Sequence, residues 1–446
     1  MPENNDTIVA VATPLGRGGI GVVRVSGKKS KAIYIALTGQ VPIPRQAQYV
    51  SFKSSQQIID KGIALYFEAP ASYSGEEVIE CHVHGSRVLL EMLVDEIVSL
   101  GARIANPGEF TERAFLNGKI DLVQAEAVAD LIDCNSKKAA RSALQSLDGV
   151  FSSKVKQLRE EVFTARSLIE AALDFPDEED VDIDIHPAIE KIEKCLTELT
   201  IILRNAEAGR ILDHNPTVVI AGLPNAGKSC LINFLCGYDS AIVSAEAGTT
   251  RDIIREKVLL GDFAVTLIDT AGLRETNNAI EKEGVDRSYK ALSVADIVLY
   301  VVDNSLNEKA GAEIPDKHIS AGAKKIIVRN KIDLCKNNAF KNTDNEVFVS
   351  VKTGAGMGNL LEKISAVLDI TDNDEDIIFA RQRHIDALNS VKDNLKQVLI
   401  AEEKGLGLEV LAESMRLALS GFDEITGRTT TDDVLGKVFS QFCIGK

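Results

Sequence analysis

A glycine-rich loop that carries a lysine and a hydroxyl group is the strongest sign of chemistry in the sequence. Gly222-Leu223-Pro224-Asn225-Ala226-Gly227-Lys228-Ser229 has the spacing of a P-loop, whose glycines let backbone N–H groups surround phosphate oxygens. The ammonium group of Lys228 would reach the β- and γ-phosphates, and the hydroxyl of Ser229 would bind Mg²⁺. An apolar run precedes the loop and a helical pattern follows it, as this motif requires. The loop therefore predicts a nucleoside triphosphate site.

Two further segments predict the magnesium shell and the sensing of the γ-phosphate. Asp269-Thr270-Ala271-Gly272 ends a predicted strand, where Asp269 would hold the Mg²⁺ shell and the N–H of Gly272 would meet the γ-phosphate. Gly248-Thr249-Thr250 lies between this segment and the P-loop, and it offers a switch threonine to cap Mg²⁺ when the γ-phosphate is present.

Two later segments predict which base is bound. Asn330-Lys331-Ile332-Asp333 ends another predicted strand, and the carboxylate of Asp333 can accept from the ring N–H and amino group of guanine. Adenine lacks this pair of donors, and an unpaired carboxylate is costly, so the site would select GTP over ATP. Ser350-Val351-Lys352 follows the next predicted strand and would line the base pocket. Five elements in this order support one another and predict a GTP-hydrolysing enzyme.

The group that activates water is less clear from spacing. Many small GTPases place a glutamine directly after Asp-Thr-Ala-Gly to orient the attacking water, but this chain has Leu273, which cannot do so. Another group must position the nucleophile, and a cation should offset the charge that develops on the β–γ bridge. The candidates are Arg251, Arg274, Glu275, Glu281 and Glu283. Spacing does not choose among them, and for each one a solvated charge is the alternative.

The segments around these motifs predict the elements that must position them. Strand-like runs alternate with helical stretches between residues 211 and 372, and this alternation predicts a mostly parallel sheet with helices on both faces. The predicted strands are Thr217–Ala221, Phe263–Asp269, Ile297–Asp303, Lys325–Asn330 and Val347–Ser350. This P-loop GTPase domain is expected to be inserted in a helical domain made of residues 119–210 and 373–446, since inserted domains enter and leave at nearby points.

The helical domain and the region before it show different patterns. Apolar residues recur at helical spacing on one face from Leu158 to Ala172, and a second helical stretch runs from Ile377 to about Ser420. Residues 1–118 mix short strands with Gly/Pro turns and predict an α+β domain. Its predicted elements are the strands Thr7–Val11, Gly21–Val25 and Ile63–Phe67 and the helix Arg87–Leu100.

Composition excludes several classes of protein. The chain has 446 residues with a formal net charge of −16, which argues against a broad surface that neutralises nucleic-acid phosphates. Its 7 scattered cysteines form no C-x-x-C pair, as expected in a reducing compartment. With no leader pattern and no long apolar run, the sequence predicts a cytoplasmic protein without a membrane segment. Cys81, His82 and His84 suggest a metal site, but on one strand they would point to both faces, so we do not favour one.

The sequence resembles the MnmE (TrmE) family of tRNA-modifying GTPases over essentially its whole length. The residues that carry the resemblance are Asp6–Ala10, Gly16–Gly21, Pro107–Asn117, Asp174–Pro176, Gly248–Asp252, Asp269–Glu275 and Phe442–Lys446. The resemblance implies an N-terminal folate-binding and dimerisation domain (1–118), a helical domain (119–210 and 373–446) and a G domain (211–372). It also implies a homodimer that forms a heterotetramer with the flavoprotein MnmG (GidA). Together they would use 5-formyl- or 5,10-methylene-tetrahydrofolate to place an aminomethyl or carboxymethylaminomethyl group on C5 of the tRNA wobble uridine.

The resemblance assigns roles in the G domain that spacing left open. In the family K⁺ replaces an arginine finger, and Asn225 and the loop Ser244–Thr249 match the positions around that ion. Ser244 and Glu246 depart from the usual threonine and apolar residue there. Thr250 and Ser229 match the Mg²⁺ ligands, and Glu281 matches the glutamate that orients the attacking water. The full set of implied K⁺ ligands is Asn225, Ser244, Glu246 and Thr249. The full set of expected nucleotide contacts is Asn225, Ala226, Gly227, Lys228, Ser229, Cys230, Ser244, Ala245, Glu246, Ala247, Gly248, Thr249, Thr250, Asp269, Thr270, Ala271, Gly272, Asn330, Lys331, Asp333, Ser350, Val351 and Lys352.

Outside the G domain, the resemblance implies a folate site and a reactive cysteine. Arg24, Glu80, Lys119 and Lys446 match folate-contacting positions, and such charges suit a glutamate tail and a pterin edge. Cys443 matches a family cysteine implicated in the modification. Without the resemblance, a surface ion pair between Arg24 and Glu80 and a lone buried thiol at Cys443 are the simpler interpretations.

Two other functions compete with tRNA modification. A regulatory GTPase switch acting in ribosome assembly would carry much the same G-domain motifs, but it needs neither the folate-like domain nor Cys443. A stand-alone folate-dependent transferase leaves the five GTPase elements unexplained.

Overall fold

The computed structural model divides into two compact units. The first unit comprises residues 1–129, 146–197 and 387–446, and the second comprises residues 130–145 and 198–386. The residues that the structure describes are 6–14, 16–54, 57–134, 137–174, 184–213, 216–238, 255–260, 263–269, 290–293, 295–306, 319, 323–335, 340–368, 380–429, 432–440 and 442–445.

The first unit contains a six-stranded mixed sheet. Its strands are β1 (Ile8–Val11), β2 (Gly18–Ser26), β3 (Gln48–Lys53), β4 (Ile58–Phe67), β5 (Val78–Gly85) and β6 (Arg103–Ile104). They lie in the order β3-β4-β5-β2-β1-β6, and all neighbours are antiparallel except β1 and β6. Helices α1 (Ser30–Thr38) and α2 (Arg87–Ser99) supply Ile33, Leu37, Leu93 and Ile97 to its core. The predicted α+β class is confirmed, although β3, β5, β6 and α1 were not predicted.

Helices make up the rest of the first unit, and residues 130–145 and 198–213 of them belong to the second unit. They are α3 (Glu109–Leu116), α4 (Leu122–Asp133), α5 (Lys137–Leu147), α6 (Val150–Asp174) and α7 (His186–Asp213). Three more follow the second unit's sheet: α10 (Gln382–Glu403), α11 (Leu408–Thr426) and α12 (Asp432–Ser440).

The predicted apolar face of α6 is buried, and α6 packs against α11. Leu158, Val162, Ala165 and Ile169 are 0–1% exposed, as helical spacing predicts for one face. The helical stretch predicted from Ile377 to about Ser420 contains two helices, α10 and α11, with a turn between them. Gly405 and Gly407 adopt φ of 62° and 93° there, which a regular right-handed helix does not allow.

The second unit contains a six-stranded, mostly parallel sheet. Its strands are β7 (Thr217–Gly222), β8 (Arg255–Leu260), β9 (Phe263–Asp269), β10 (Ile297–Asp303), β11 (Lys324–Asn330) and β12 (Glu346–Phe348). They lie in the order β12-β11-β10-β7-β9-β8, with only β8 antiparallel to its neighbour among these strands. Helices α8 (Lys228–Tyr238) and α9 (Met357–Leu368) pack on one face, and a cluster around Leu292 covers the other.

The strands of this sheet follow from their sequences. Residues Ile297–Tyr300 of β10 are all buried, which is typical of a parallel strand covered on both faces. The predicted P-loop GTPase fold is confirmed, and the bounds of β9 and β10 agree with those predicted. The edge strand β8 was not predicted. The described part of the chain contains no helix with the length and hydropathy of a transmembrane segment.

Candidate functional site

The P-loop connects the end of β7 to the start of α8, at the carboxyl edge of the parallel sheet. Gly222 adopts φ of 144°, and a Cβ at this position would collide with the carbonyl oxygen of Val301 on the adjacent strand β10. Asn225 has φ of 65°, in the left-handed region that asparagine tolerates better than most residues. These backbone angles turn the loop tightly from strand to helix, so that the first N–H groups of α8 face the loop.

Lys228 lies inside this loop rather than in solvent. Its side chain is buried, and Nζ donates to the carbonyl oxygens of Gly222 at 2.9 Å and Leu223 at 3.0 Å. A buried ammonium group needs such acceptors. Its charge is therefore fixed beside the loop, where the P-loop motif requires a cation for phosphate.

Asn330 joins the P-loop to the predicted base-binding segments. Its side chain is 4% exposed, and Nδ2 donates to the carbonyl of Ala226 at 2.9 Å. The N–H of Val351 donates to Oδ1 of the same side chain at 3.2 Å. Gly227 has φ of 102°, and a Cβ there would collide with Asn330 Nδ2. One buried amide thus brings together three segments that are far apart in sequence.

The carboxylate of Asp333 is held in place by Ser350. The Ser350 hydroxyl donates to Asp333 Oδ1 at 2.6 Å, and it accepts from the N–H of Thr353 at 3.3 Å. Ser350 is fully buried. The carboxylate that would read guanine is therefore oriented by the segment that was predicted to line the base pocket.

A cavity of about 600 Å³ opens beside these residues, a size that suits a nucleotide base. Its described lining residues are Gly227, Cys230, Asn233, Phe234, Asn330, Lys331, Asp333, Leu334, Val351 and Lys352. Gly227 and six other predicted nucleotide contacts are among these lining residues. Asn233, Phe234 and Leu334 were not predicted, although helical spacing from the predicted contact Cys230 could have placed Asn233 and Phe234, at i+3 and i+4, on the cavity side of α8.

Several predicted phosphate and catalytic residues lie outside the described residues: Ser244, Ala245, Glu246, Ala247, Gly248, Thr249, Thr250, Thr270, Ala271, Gly272 and Glu281. The same holds for Arg251, Leu273, Arg274, Glu275 and Glu283. The backbone of Asp269 ends β9, in register with Ile220 on β7. The carboxyl end of β9 therefore lies next to the strand that leads into the P-loop.

In the first unit, Arg24 and Glu80 face each other on neighbouring strands β2 and β5. Arg24 Nη2 lies 2.9 Å from Glu80 Oε1, with side chains 23% and 19% exposed. The guanidinium also lies over the rings of Tyr73 and Phe110, at 5.5 and 5.8 Å from their centroids. Burial raises the pKa of Tyr73, although its hydrogen bond with Thr111 and the charge of Arg24 oppose this effect. The two predicted folate contacts are thus half-buried partners of each other.

Lys119 contacts the loop that carries Tyr73. Its Nζ donates to the carbonyl of Pro70 at 3.0 Å, and a Cβ on Gly75 would lie 3.3 Å from its Cγ. Lys119 also lines a cavity of about 1170 Å³ in the first unit, together with Arg113, Lys156 and Arg428.

The end of the chain packs against the first unit's sheet. Pro107 and Ile444 form an antiparallel bridge, and a Cβ on Gly445 would collide with the carbonyl oxygen of Val11. The N–H of Gly108 donates to the carbonyl of Cys443 at 3.5 Å, while the Cys443 side chain is exposed. A buried thiol at Cys443 is therefore wrong. Lys446 lies outside the described residues.

A buried charge network supports this region. Arg113 on α3 is 2% exposed, and its guanidinium pairs with Asp6, Glu76 and Glu109 at 2.7, 3.0 and 2.9 Å. Burial raises the pKa of Glu109, but hydrogen bonds from Arg103 and Arg113 outweigh it and hold the pKa below its usual value. The network fixes the start of β1, the loop before β5 and helix α3 to one another.

The described residues hold no cluster of His, Cys, Asp and Glu that could bind a metal. Cys81 is buried, and burial raises its pKa to about 12, which disfavours the thiolate that metals require. His82 and His84 lie toward the other face of β5, where they contact Glu80 and Asp60.

Comparison with known proteins agrees with this architecture. The model of the GTP-binding protein TrmE N-terminus matches residues 7–119, and the model of the MnmE helical domain matches residues 122–443. A protein of Legionella pneumophila named tRNA modification GTPase MnmE is 46% identical over 99% of both chains. Proteins of the same name from Coxiella burnetii and Stutzerimonas stutzeri are 47% and 45% identical, over 99% and 100% of both chains respectively.

The P-loop at the carboxyl edge of a mostly parallel sheet, with the guanine-type segments beside it, defines a P-loop GTPase, an enzyme that hydrolyses GTP. The full-length similarity makes the assignment narrower: the chain belongs to the MnmE family of tRNA modification GTPases.

Proposed function

We propose that this chain is a K⁺-activated GTPase that modifies the wobble uridine of tRNA. It acts as a homodimer with the flavoprotein MnmG (GidA) and a one-carbon tetrahydrofolate, in the cytoplasm, to add an aminomethyl or carboxymethylaminomethyl group at C5. The observation that carries the nucleotide part is the buried amide of Asn330, which joins the P-loop, the Asp333 segment and the Ser350–Lys352 segment around one cavity.

The proposed division of labour follows the sequence. Residues 1–118 bind folate and form the dimer, residues 119–210 and 373–446 form the helical domain, and residues 211–372 form the G domain. Arg24, Glu80, Lys119 and Lys446 bind folate in this proposal, and Cys443 takes part in the modification. The docking of residues 442–445 beside β1 supports it, because this docking presents an exposed thiol at the domain that would hold the one-carbon donor.

The G-domain roles are those expected from the P-loop and from the family resemblance. Ser229 and Thr250 bind Mg²⁺, Asn225 with Ser244, Glu246 and Thr249 binds K⁺, and Glu281 orients the attacking water. The left-handed backbone of Asn225 supports a role for this residue in binding K⁺, since strained conformations of this kind cluster at ligand-binding sites.

The function is tested by mass analysis of tRNA nucleosides from cells that lack this protein. We expect the modified wobble uridines to disappear and to return when the wild-type chain is supplied. Unchanged uridines would favour the alternative of a regulatory switch acting in ribosome assembly. A Cys443→Ser chain separates the two further, because a switch would tolerate it whereas the modification would be lost.

The hydrolysis roles are tested on the purified protein. Glu281→Ala should lower kcat by about 100-fold while leaving GDP affinity within about twofold, because it removes water positioning and no ground-state contact. Replacing K⁺ with Na⁺ should slow turnover sharply. Equal rates in both salts would remove K⁺ from the mechanism, and loss of nucleotide affinity in Glu281→Ala would make that residue structural.

A further inference from the structure

The segment that would read the base is held by an ion pair that lies beside the cavity. Lys331 Nζ lies 2.6 Å from Oδ2 of Asp303, the last residue of β10. The Asp303 and Lys331 side chains are 13% and 30% exposed. Lys331 lines the cavity, whereas Asp303 lies outside the set of described residues that line it. Asp303 therefore contacts a residue of the cavity wall, Lys331, without lining the cavity itself.

Asp303 is itself fixed by the turn that follows it. The N–H and the hydroxyl of Ser305 donate to Asp303 Oδ1 at 3.0 and 2.6 Å. Burial raises the pKa of Asp303, but the hydrogen bonds from Lys331 and Ser305 outweigh it and hold the pKa below its usual value. The carboxylate is thus ionised near neutral pH, with one oxygen bound to Ser305 and the other turned to Lys331.

The backbone of Lys331 needs support of this kind. Its φ is 66°, in the left-handed region where residues with a Cβ are strained. A second contact holds the same segment, because Asn304 Nδ2 donates to Cys335 Sγ at 3.4 Å. The short helical turns Asn304–Leu306 and Ile332–Leu334 therefore contact each other. Lys331 and Cys335 lie at the two ends of the second turn.

We propose that Asp303 is a positioning residue for guanine-nucleotide binding. It acts by holding the side chain of Lys331 in place as part of the wall of the base cavity. This inference rests on the proposed use of that cavity for guanine. With its ammonium group held by Asp303, the aliphatic stem of Lys331 is fixed as a wall on which a base can lie. Without Asp303, the long side chain samples many rotamers, and nucleotide binding must restrict them.

The test measures GDP affinity of the full-length protein by calorimetry. Asp303→Asn keeps the shape of the side chain and removes its charge, so we expect GDP to bind about three- to tenfold more weakly. Asp303→Glu restores the charge and should recover most of the affinity. In a Lys331→Met chain, which keeps the stem and loses the ammonium group, adding Asp303→Asn should weaken binding no further.

A neighbouring ion pair supplies the matched control. Glu346 on β12 accepts from Arg329 Nη2 at 2.8 Å with comparable exposure, 26% and 29%, and lies outside the described cavity lining. Glu346→Gln should leave GDP affinity unchanged. The proposal is overturned if Asp303→Asn binds GDP as tightly as the wild type, or if it weakens binding equally in the Lys331→Met background. An equal loss in Glu346→Gln would also overturn it, because any ion pair of this sheet would then suffice.

A variant that fails to fold does not end the test. Ser305→Ala removes the side-chain hydrogen bond that orients Asp303, and it should weaken GDP binding about twofold in the wild-type background and not with Lys331→Met. Unaltered affinity in Ser305→Ala would then overturn the proposal. A wild-type chain that fails to bind GDP would instead refute the proposed use of the cavity.

Discussion

The two candidate sites differ in how their charged residues are paired. In the second unit, Lys228 donates to two neutral carbonyl groups, and Lys331 is paired with a carboxylate outside the cavity lining. In the first unit, Arg24 and Glu80 are both proposed ligand contacts, and they are paired with each other.

This difference changes what a ligand can gain. An anion that approaches the P-loop meets the buried ammonium group of Lys228 together with the N–H groups at the start of α8, so it gains several contacts at once. A ligand that contacts Arg24 and Glu80 must replace an existing ion pair, and it gains only the difference between the new contacts and the old one. We therefore expect strong dependence on single residues in the nucleotide site and weaker dependence in the N-terminal site.

The largest effect should be the loss of stability in Arg113→Met, which removes a buried charge that contacts no proposed ligand. Arg113→Met leaves Asp6, Glu76 and Glu109 without their shared partner, and removing one member of a buried pair costs about 3–5 kcal/mol. Urea unfolding followed by circular dichroism should show an earlier transition, while GDP affinity stays at the wild-type value. Arg87→Met, which removes an exposed pair with Glu91, should leave unfolding unchanged. An unshifted transition in Arg113→Met would mean that the network is not structural.

Sequence predicted the nucleotide site better than the N-terminal site for a physical reason. The P-loop and the Asn330 segment carry their geometry locally, because each follows a strand of one parallel sheet and such strands end at one edge. The ion pair between Arg24 and Glu80, given above as the simpler interpretation, is present, but its antiparallel register across 56 residues cannot be read from spacing. The pair of Asp303 and Lys331 was not predicted, because the strands β10 and β11 are neighbours only in the folded sheet.

Asp333→Asn gives the next largest effect and acts within the nucleotide site. The amide would present an N–H to guanine donors, so GDP affinity should fall about a hundredfold or more, because a polar contact is left unpaired. Xanthosine diphosphate, whose ring offers an acceptor there, should bind the variant better than GDP does. Calorimetry with both nucleotides measures the switch. Unchanged preference for GDP would show that the base does not meet this carboxylate.

Arg24→Gln should have the smallest effect on stability and separates the two interpretations of its ion pair. The pair is partly exposed, so its loss should lower the free energy of unfolding by about 1 kcal/mol or less, measured in urea.

If Arg24 also contacts folate, the same variant should bind 5-formyl-tetrahydrofolate about tenfold more weakly, since a charge-assisted contact to a carboxylate is lost. Glu80→Gln breaks the same ion pair at the other proposed contact, so it should also bind folate more weakly. The control is Arg87→Gln, which breaks the exposed pair with Glu91 and should bind folate as the wild type does. Weaker binding in Arg24→Gln and Glu80→Gln than in Arg87→Gln would support ligand roles for both members of the pair. Equal folate affinity in Arg24→Gln, Glu80→Gln and the wild type would mean that the ion pair is structural. The two regions would then differ in function as well, because only the nucleotide site would use its charged residues to bind a ligand.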